Sequence, residues 1–275
     1  MTAIAEFFGL IIRFIYSIVN DNYFLSILLF TLFTKLILFP LSLGQIKSTE
    51  KMKKIAPLDK KIREKYKNDK QKQAEELTKL YGEYKINPLG GCLPLLIQIP
   101  IVLSMFFIVK QPLTYITQTP QEQIRVYTQN VLGKEEVTTK EMNENEIIVA
   151  NKEKIIDMNV GNIINLGDIP ANTFNSDPAK RVTPFSLVIP LLSIVFSIIQ
   201  NKLMQKTQTL TDEQKEMQRT TNLMMPLLSA SISYSMPLAL GVYWLFGNIL
   251  SILQQIFVNK VIIKDEKNLA LEKGE

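Results

Sequence analysis

Histidine is absent from the 275 residues, and cysteine occurs once, at Cys92. The first absence removes imidazole acid–base chemistry, a serine–histidine dyad and histidine-ligated metals. The second excludes an intramolecular disulfide, and Cys92 lies too far from the N-terminus for lipoprotein acylation. No phosphate-binding glycine loop is present. Aspartate and glutamate are missing from every long apolar run, which disfavours a carboxylate proton relay and an intramembrane aspartyl protease. The expectation is a protein that is not an enzyme and uses no cofactor or metal.

What is present is 47% hydrophobic and 21% charged, with a mean hydropathy of +0.10. That mixture fits apolar spans alternating with charged loops. One residue breaks the separation. Lys35 is the only charge in the stretch Phe24–Leu43, whose twenty residues cover roughly the 30 Å hydrocarbon core of a bilayer. An ammonium there costs several kcal/mol unless it faces a polar or wet interior, so it is a functional candidate. The alternative is a lysine that snorkels along its stem to the interface.

Charge along the chain sets an orientation. Gln45–Asn87 carries 13 Lys/Arg against 7 Asp/Glu, and Gln111–Pro184 carries 7 against 10. The positive-inside rule places the first segment in the cytoplasm and the second outside, giving N-terminus out and C-terminus in.

The fold class expected is an all-α membrane protein with five transmembrane helices around a hydrophilic groove. Residues 1–22 read as an interfacial amphipathic helix, with Glu6, Arg13, Ser17 and Asn20 on one face and Ile4, Phe8, Ile11, Ile15 and Ile18 on the other. The rival is a signal peptide, against which stand the missing basic leading end and small-residue cleavage site. A first transmembrane helix (23–44) leads into a cytoplasmic helical hairpin (45–87) and a second span (88–110). An extracytoplasmic insert (111–184) precedes a third span (185–204) and a cytoplasmic loop (205–220). The run Leu223–Val258 holds 36 residues and would extend about 54 Å as one helix, too long for a single crossing. Met236-Pro237 splits them, so 221–258 holds a fourth and fifth span before a cytoplasmic tail, 259–275.

Polar side chains recur at helical spacing within the spans. Thr31, Lys35 and Ser42 form one set; Ser186, Ser193, Ser197 and Gln200 a second; Trp244, Asn248, Ser251 and Gln255 a third. Such stripes serve either a shared hydrophilic cavity or ordinary helix–helix packing in lipid. Pro40 removes the backbone bond to the Leu36 carbonyl beside Lys35 and favours the cavity.

In the hairpin, Ile55, Leu58, Ile62 and Tyr66 share one face, and Leu77, Leu80, Tyr81 and Tyr84 another, with a break at Asn68-Asp69. The segment is either a partner-binding element or a solvated spacer. Within the insert, Glu146–Met158 alternates weakly like a strand, and Gln121–Asn175 is expected to be dispensable for the core reaction.

Three stretches carry a family resemblance: TLFTKLILFPLSLGQIKSTEKM (Thr31–Met52), INPLGGCLPLLIQIPI (Ile86–Ile101) and LGVYWLFGNILSILQQ (Leu240–Gln255). Together they resemble the YidC family of membrane protein insertases, in the Gram-positive form related to the mitochondrial and chloroplast insertases. The resemblance implies an insertase and chaperone of the bacterial plasma membrane. Its hydrophilic groove, open to cytoplasm and lipid, would receive the acidic or polar tail of a substrate and release the apolar segment to lipid. It implies Lys35 as the groove cation and Thr31, Gln200 and Trp244 as groove-lining residues. Asn248 and Ser251 are added from the stripe argument alone. Expected partners are nascent membrane proteins and the bilayer. Ribosome and Sec translocon would be met through hairpin 45–84 and the tail, without sequence-specific nucleic-acid binding.

Two features depart from the pattern. Many members carry arginine where this chain has Lys35, and the insert is longer than the resemblance suggests. On composition alone, a small channel or transporter with an intramembrane lysine is the alternative, although one lysine per chain would need oligomerisation to form a ring.

Overall fold

A computed structural model describes residues 2–85, 93–138, 143–150, 155–161, 163–205 and 212–263. These are mostly helical, with one small two-stranded sheet among the described residues. The Asn87-Pro88 and Cys92 part of the family-like run, the middle of the 205–220 loop and the tail from residue 264 lie outside them.

Two helices, Pro184–Leu203 and Leu238–Val261, are long and apolar enough to cross a membrane. A third crossing results if Tyr23–Ile37 and Phe39–Met52 form one broken span. Of the other expected spans, the helix Leu93–Lys110 is apolar, and the helix Asp212–Ser235 begins with polar turns.

The chain divides into two compact units. The first comprises Met1–Thr34, Ile97–Val195 and Leu227–Gly247. Its first helix, α1 (Thr2–Ile18), has three faces rather than two. Ala5, Gly9, Ile12 and Tyr16, at spacings of four, three and four, are buried. Gly9 lets the helix approach Tyr115 so closely that an added Cβ would lie 3.2 Å from its ring. Glu6, Arg13 and Ser17 form the polar edge, while Phe7, Leu10, Phe14 and Ile18 are exposed. The expected apolar face is therefore corrected: Ile15 packs inward, and Ile4 and Ile18 face outward.

Asn20 and Asp21 then adopt left-handed backbone conformations (φ 53° and 58°), which short polar side chains tolerate. Asn22 Oδ1 accepts the Leu25 N–H at 2.9 Å and starts α2 (Tyr23–Ile37).

The insert is built into the same unit. It follows α5 (Leu93–Lys110) through the single turn α6 (Pro112–Tyr115), α7 (Gln121–Leu132) and α8 (Glu144–Ala150). The strand-like reading of Glu146–Met158 is overturned at its start, where α8 is helical. The strands are instead β1 (Asn159–Val160) and β2 (Ile164–Asn165), antiparallel. Period-two alternation over so few residues does not distinguish a strand from one buried helix face, here Ile147 and Ile148.

Two sets of bonds tie the insert to helix ends. The buried Glu144 carboxylate accepts from Leu113 N (2.6 Å), Thr114 N (3.1 Å) and Thr114 Oγ1 (2.6 Å), and Asn145 Nδ2 donates to Val109 O at 3.1 Å. Burial pushes the Glu144 carboxyl above its ordinary range, against the pull of those donors. At the other end, Leu238 N donates to Asp168 O (2.8 Å) and Ala239 N to Leu166 O (2.9 Å). These are first-turn amides of α11 (Leu238–Phe257), which have no acceptor within their own helix.

The second unit comprises Lys35–Leu96, Phe196–Pro226 and Asn248–Glu275. Helix α3 (Phe39–Lys65) runs continuously through the boundary expected at residues 44/45. Asp69, which accepts from Lys72 N at 2.9 Å, caps α4 (Lys70–Glu83). The two helices pack through Ile55 and Leu80, flanked by Met52, Ile62 and Tyr81. Leu58 and Tyr84, expected on the packed faces, are exposed. Beside this contact Asp59 is buried: Arg63 Nε donates to Oδ1 at 2.6 Å, and the Tyr81 hydroxyl donates to Oδ2. Burial, with the Asp59 carboxylate second, pushes the Tyr81 phenol up to about 12, so it remains a donor at neutral pH.

Candidate functional site

Apolar residues form α2 because Phe, Leu and Ile dominate Tyr23–Ile37, and its last turn holds Lys35. The helix stops at Leu38, and Pro40 occupies the first turn of α3, where a missing N–H is harmless. Pro40 therefore divides the stretch into two helices instead of sitting inside one. Lys35 consequently lies at a helix C-terminus, where backbone carbonyls without helical partners and the helix dipole favour a cation.

Within the second unit, Lys35 Nζ donates to Ser251 Oγ on α11 at 2.7 Å. Asn248 lies one turn before Ser251, and its Nδ2 is buried without a hydrogen-bond partner. The amide nitrogens of Asn201 and Gln254 are in the same condition. Asn201 neighbours Gln200 on α9 (Val188–Gln205), which is half-buried. Near the end of the stripe, Gln255 Nε2 donates to Asn259 Oδ1 at 3.3 Å and Phe257 packs against Phe39. Buried amide donors without acceptors are unfavourable by about 1–3 kcal/mol each, so Asn248, one turn from Ser251, is suited to a visiting acceptor.

The other two expected residues belong to the first unit. Thr31 is buried and its hydroxyl donates to Ile27 O at 2.6 Å, within its own helix. Trp244 is half-buried on α11. Its neighbour Tyr243 was not singled out by sequence. It accepts from Gln98 Nε2 at 3.0 Å and sits near the Phe30 ring. Gln98, the only amide side chain in its run, was the available signal.

The serine stripe of the third expected span divides by function. Ser186 is buried and pairs with Thr173 of the insert at 3.1 Å. At Ser193 the backbone carbonyl accepts from Ser229 Oγ of α10 (Asp212–Ser235) at 3.3 Å. Gly241 fits against Ile189, where an added Cβ would meet its methyl at 3.0 Å. Ser186 and Gly241 serve packing contacts, whereas the Ser193 hydroxyl is buried without a hydrogen-bond partner.

The family model described as 60Kd inner membrane protein matches residues 14–266. A membrane protein insertase YidC of Fusobacterium nucleatum is 30% identical over 240 residues, 87% of each chain. The YidC insertase of Oceanobacillus iheyensis is 27% identical over 251 residues, covering 89% of this chain and 77% of the relative. The one of Geobacter metallireducens is 27% identical over 256 residues, 93% of this chain but 36% of its own length. With nearly its whole length matched, the chain belongs to the 60Kd inner membrane protein family, that of the YidC insertases.

Proposed function

We propose that the chain is a membrane protein insertase in which Lys35 receives the acidic or polar tail of a substrate. The observation that carries the reading is the Lys35 Nζ–Ser251 Oγ bond of 2.7 Å, which holds an ammonium inside apolar sequence in a chain of the insertase family. A carboxylate would exchange one neutral acceptor for a charged one at the same nitrogen. The ammonium already makes a charge-assisted bond to the hydroxyl, and a carboxylate adds the attraction of two opposite charges in low-dielectric surroundings. The family resemblance would add Thr31, Gln200 and Trp244 as groove-lining residues, and the stripe spacing Asn248 and Ser251, with five spans around the groove, N-terminus out and C-terminus in.

The reaction is non-covalent. Lodging the polar tail near Lys35 shortens the low-dielectric path it must cross, and moving an apolar segment of about twenty residues into lipid supplies the drive. The part of α3 from residue 45 onward and α4, basic and joined around Asp59, would lie in the cytoplasm and meet substrates, ribosome or translocon first. On α1, the exposed Phe7, Leu10, Phe14 and Ile18 suit a helix lying in the interface.

Reconstituted vesicles with protease protection as readout test the reading. Wild-type protein should insert a single-span substrate with an acidic tail, and Lys35→Ala should not. Full insertion by the Ala variant, or ion conductance without insertion, would refute it.

A further inference from the structure

Phe174 is the most exposed large apolar side chain among the described residues, at 77%, although it belongs to the polar insert. It closes the 3-10 turn Pro170–Phe174, which packs against the turn Pro184–Leu187 at the start of α9. The buried Thr173–Ser186 hydroxyl pair ties the two turns at 3.1 Å. Phe185, in the second turn, is also exposed. From there an exposed row continues along the apolar helix through Val188, Leu191, Leu192 and Val195. Between the two phenylalanines the chain carries the exposed cations Lys180 and Arg181, and Arg181 Nε is anchored on Asn175 O at 2.7 Å.

We infer that Phe174 and Phe185, with Lys180 and Arg181 between them, form a lipid anchor by which the insert grips the membrane surface at the start of α9. Continuity identifies the occupant: the row running on from Phe185 belongs to a helix long and apolar enough to cross a bilayer. Phe174 is held beside the first turn of that row. Aromatic side chains are enriched at both membrane–water boundaries, and long cationic side chains at span ends reach the headgroups while their stems lie along apolar surface. The inference rests on α9 being a span, as the proposed function requires.

Site-directed spin labelling of full-length protein tests it, in vesicles of phosphatidylglycerol and phosphatidylethanolamine and in a Cys92→Ser background. Labels go at F174C, at F185C as a second anchor position, at L191C as the lipid reference and at E122C as the exposed insert reference. The anchor requires Phe174 and Phe185 labels to collide with dissolved oxygen several-fold more than the Glu122 label, and with a soluble nickel complex several-fold less. Accessibility at Phe174 matching Glu122, with Leu191 still in lipid, overturns the anchor alone. Protection of Phe174 from both reagents only when a nascent chain is present overturns it in favour of a protein partner. A water-accessible Leu191 label removes the span, and the anchor with it.

Discussion

Lys35 Nζ donates to Ser251 Oγ at 2.7 Å, so the ammonium of the first long apolar run is held by a hydroxyl 216 residues further along the chain. The pair is asymmetric. Lys35 brings the charge, whereas Ser251 only holds it, and substitutions should separate the two roles. Lys35→Ala should abolish insertion of acidic-tailed substrates, and Lys35→Arg should retain it, since the charge persists with more donors. Ser251→Ala should weaken insertion by only about fivefold, equivalent to ~1 kcal/mol for one hydrogen bond. Protease protection in vesicles distinguishes these outcomes. Equal loss in Lys35→Ala and Ser251→Ala would mean that the hydrogen bond, not the charge, matters.

Deleting Gln121–Asn175 should destabilise the first unit, contrary to the dispensability expected from sequence. The segment supplies the Asp168 and Leu166 carbonyls for two first-turn amides of α11, and the Glu144 carboxylate for α6. Unfolding in detergent micelles, followed by tryptophan fluorescence from Trp244, should shift to lower temperature by several degrees. An unchanged midpoint would overturn this structural role, and insertion by the deletion in vesicles separately reads the expected dispensability for the core reaction.

Glu144 gives a narrower test. Glu144→Ala leaves the buried Leu113 and Thr114 amides without their acceptor and should lower stability by about 1–3 kcal/mol. Glu144→Gln keeps an acceptor and removes the charge, so it should be close to neutral. Because burial raises the folded-state pKa above 4.5, stability should be greatest below that value and fall as pH rises through the raised pKa. That step should vanish in Glu144→Gln, as read from unfolding midpoints across pH.

Asp59→Ala should loosen α3 from α4, because Arg63 and Tyr81 both direct donors at that buried carboxylate. Faster proteolysis within residues 45–85, with α11 still protected, is the expected pattern. Removing Ile55–Glu83 outright should impair insertion while the first unit stays folded. Loss of the first unit's protection in that deletion would tie the hairpin to the core.

Much of this was readable from residue types. Asn20-Asp21 interrupts the helices, Asp69 caps α4, and Met236-Pro237 separates α10 from α11, because backbone chemistry at these residues is local. Other features depended on distant neighbours. Period and composition could not show that Ser186 pairs with Thr173 of the insert while the Ser193 hydroxyl and the Asn248 amide nitrogen are buried without partners. Gln98 and Tyr243, 145 residues apart, gave no joint signal.

Sequence alone determined that an isolated cation sits in apolar chain without histidine or acid beside it. It also determined where basic and acidic loops fall and which family motifs surround the cation. Those follow from composition and from local spacing along a helix. Tertiary structure decided that Lys35 meets Ser251, that the third face of α1 stays exposed, and that the insert caps α11. Each of these is a choice between several geometrically equivalent surfaces, and only packing against residues remote in the chain selects one.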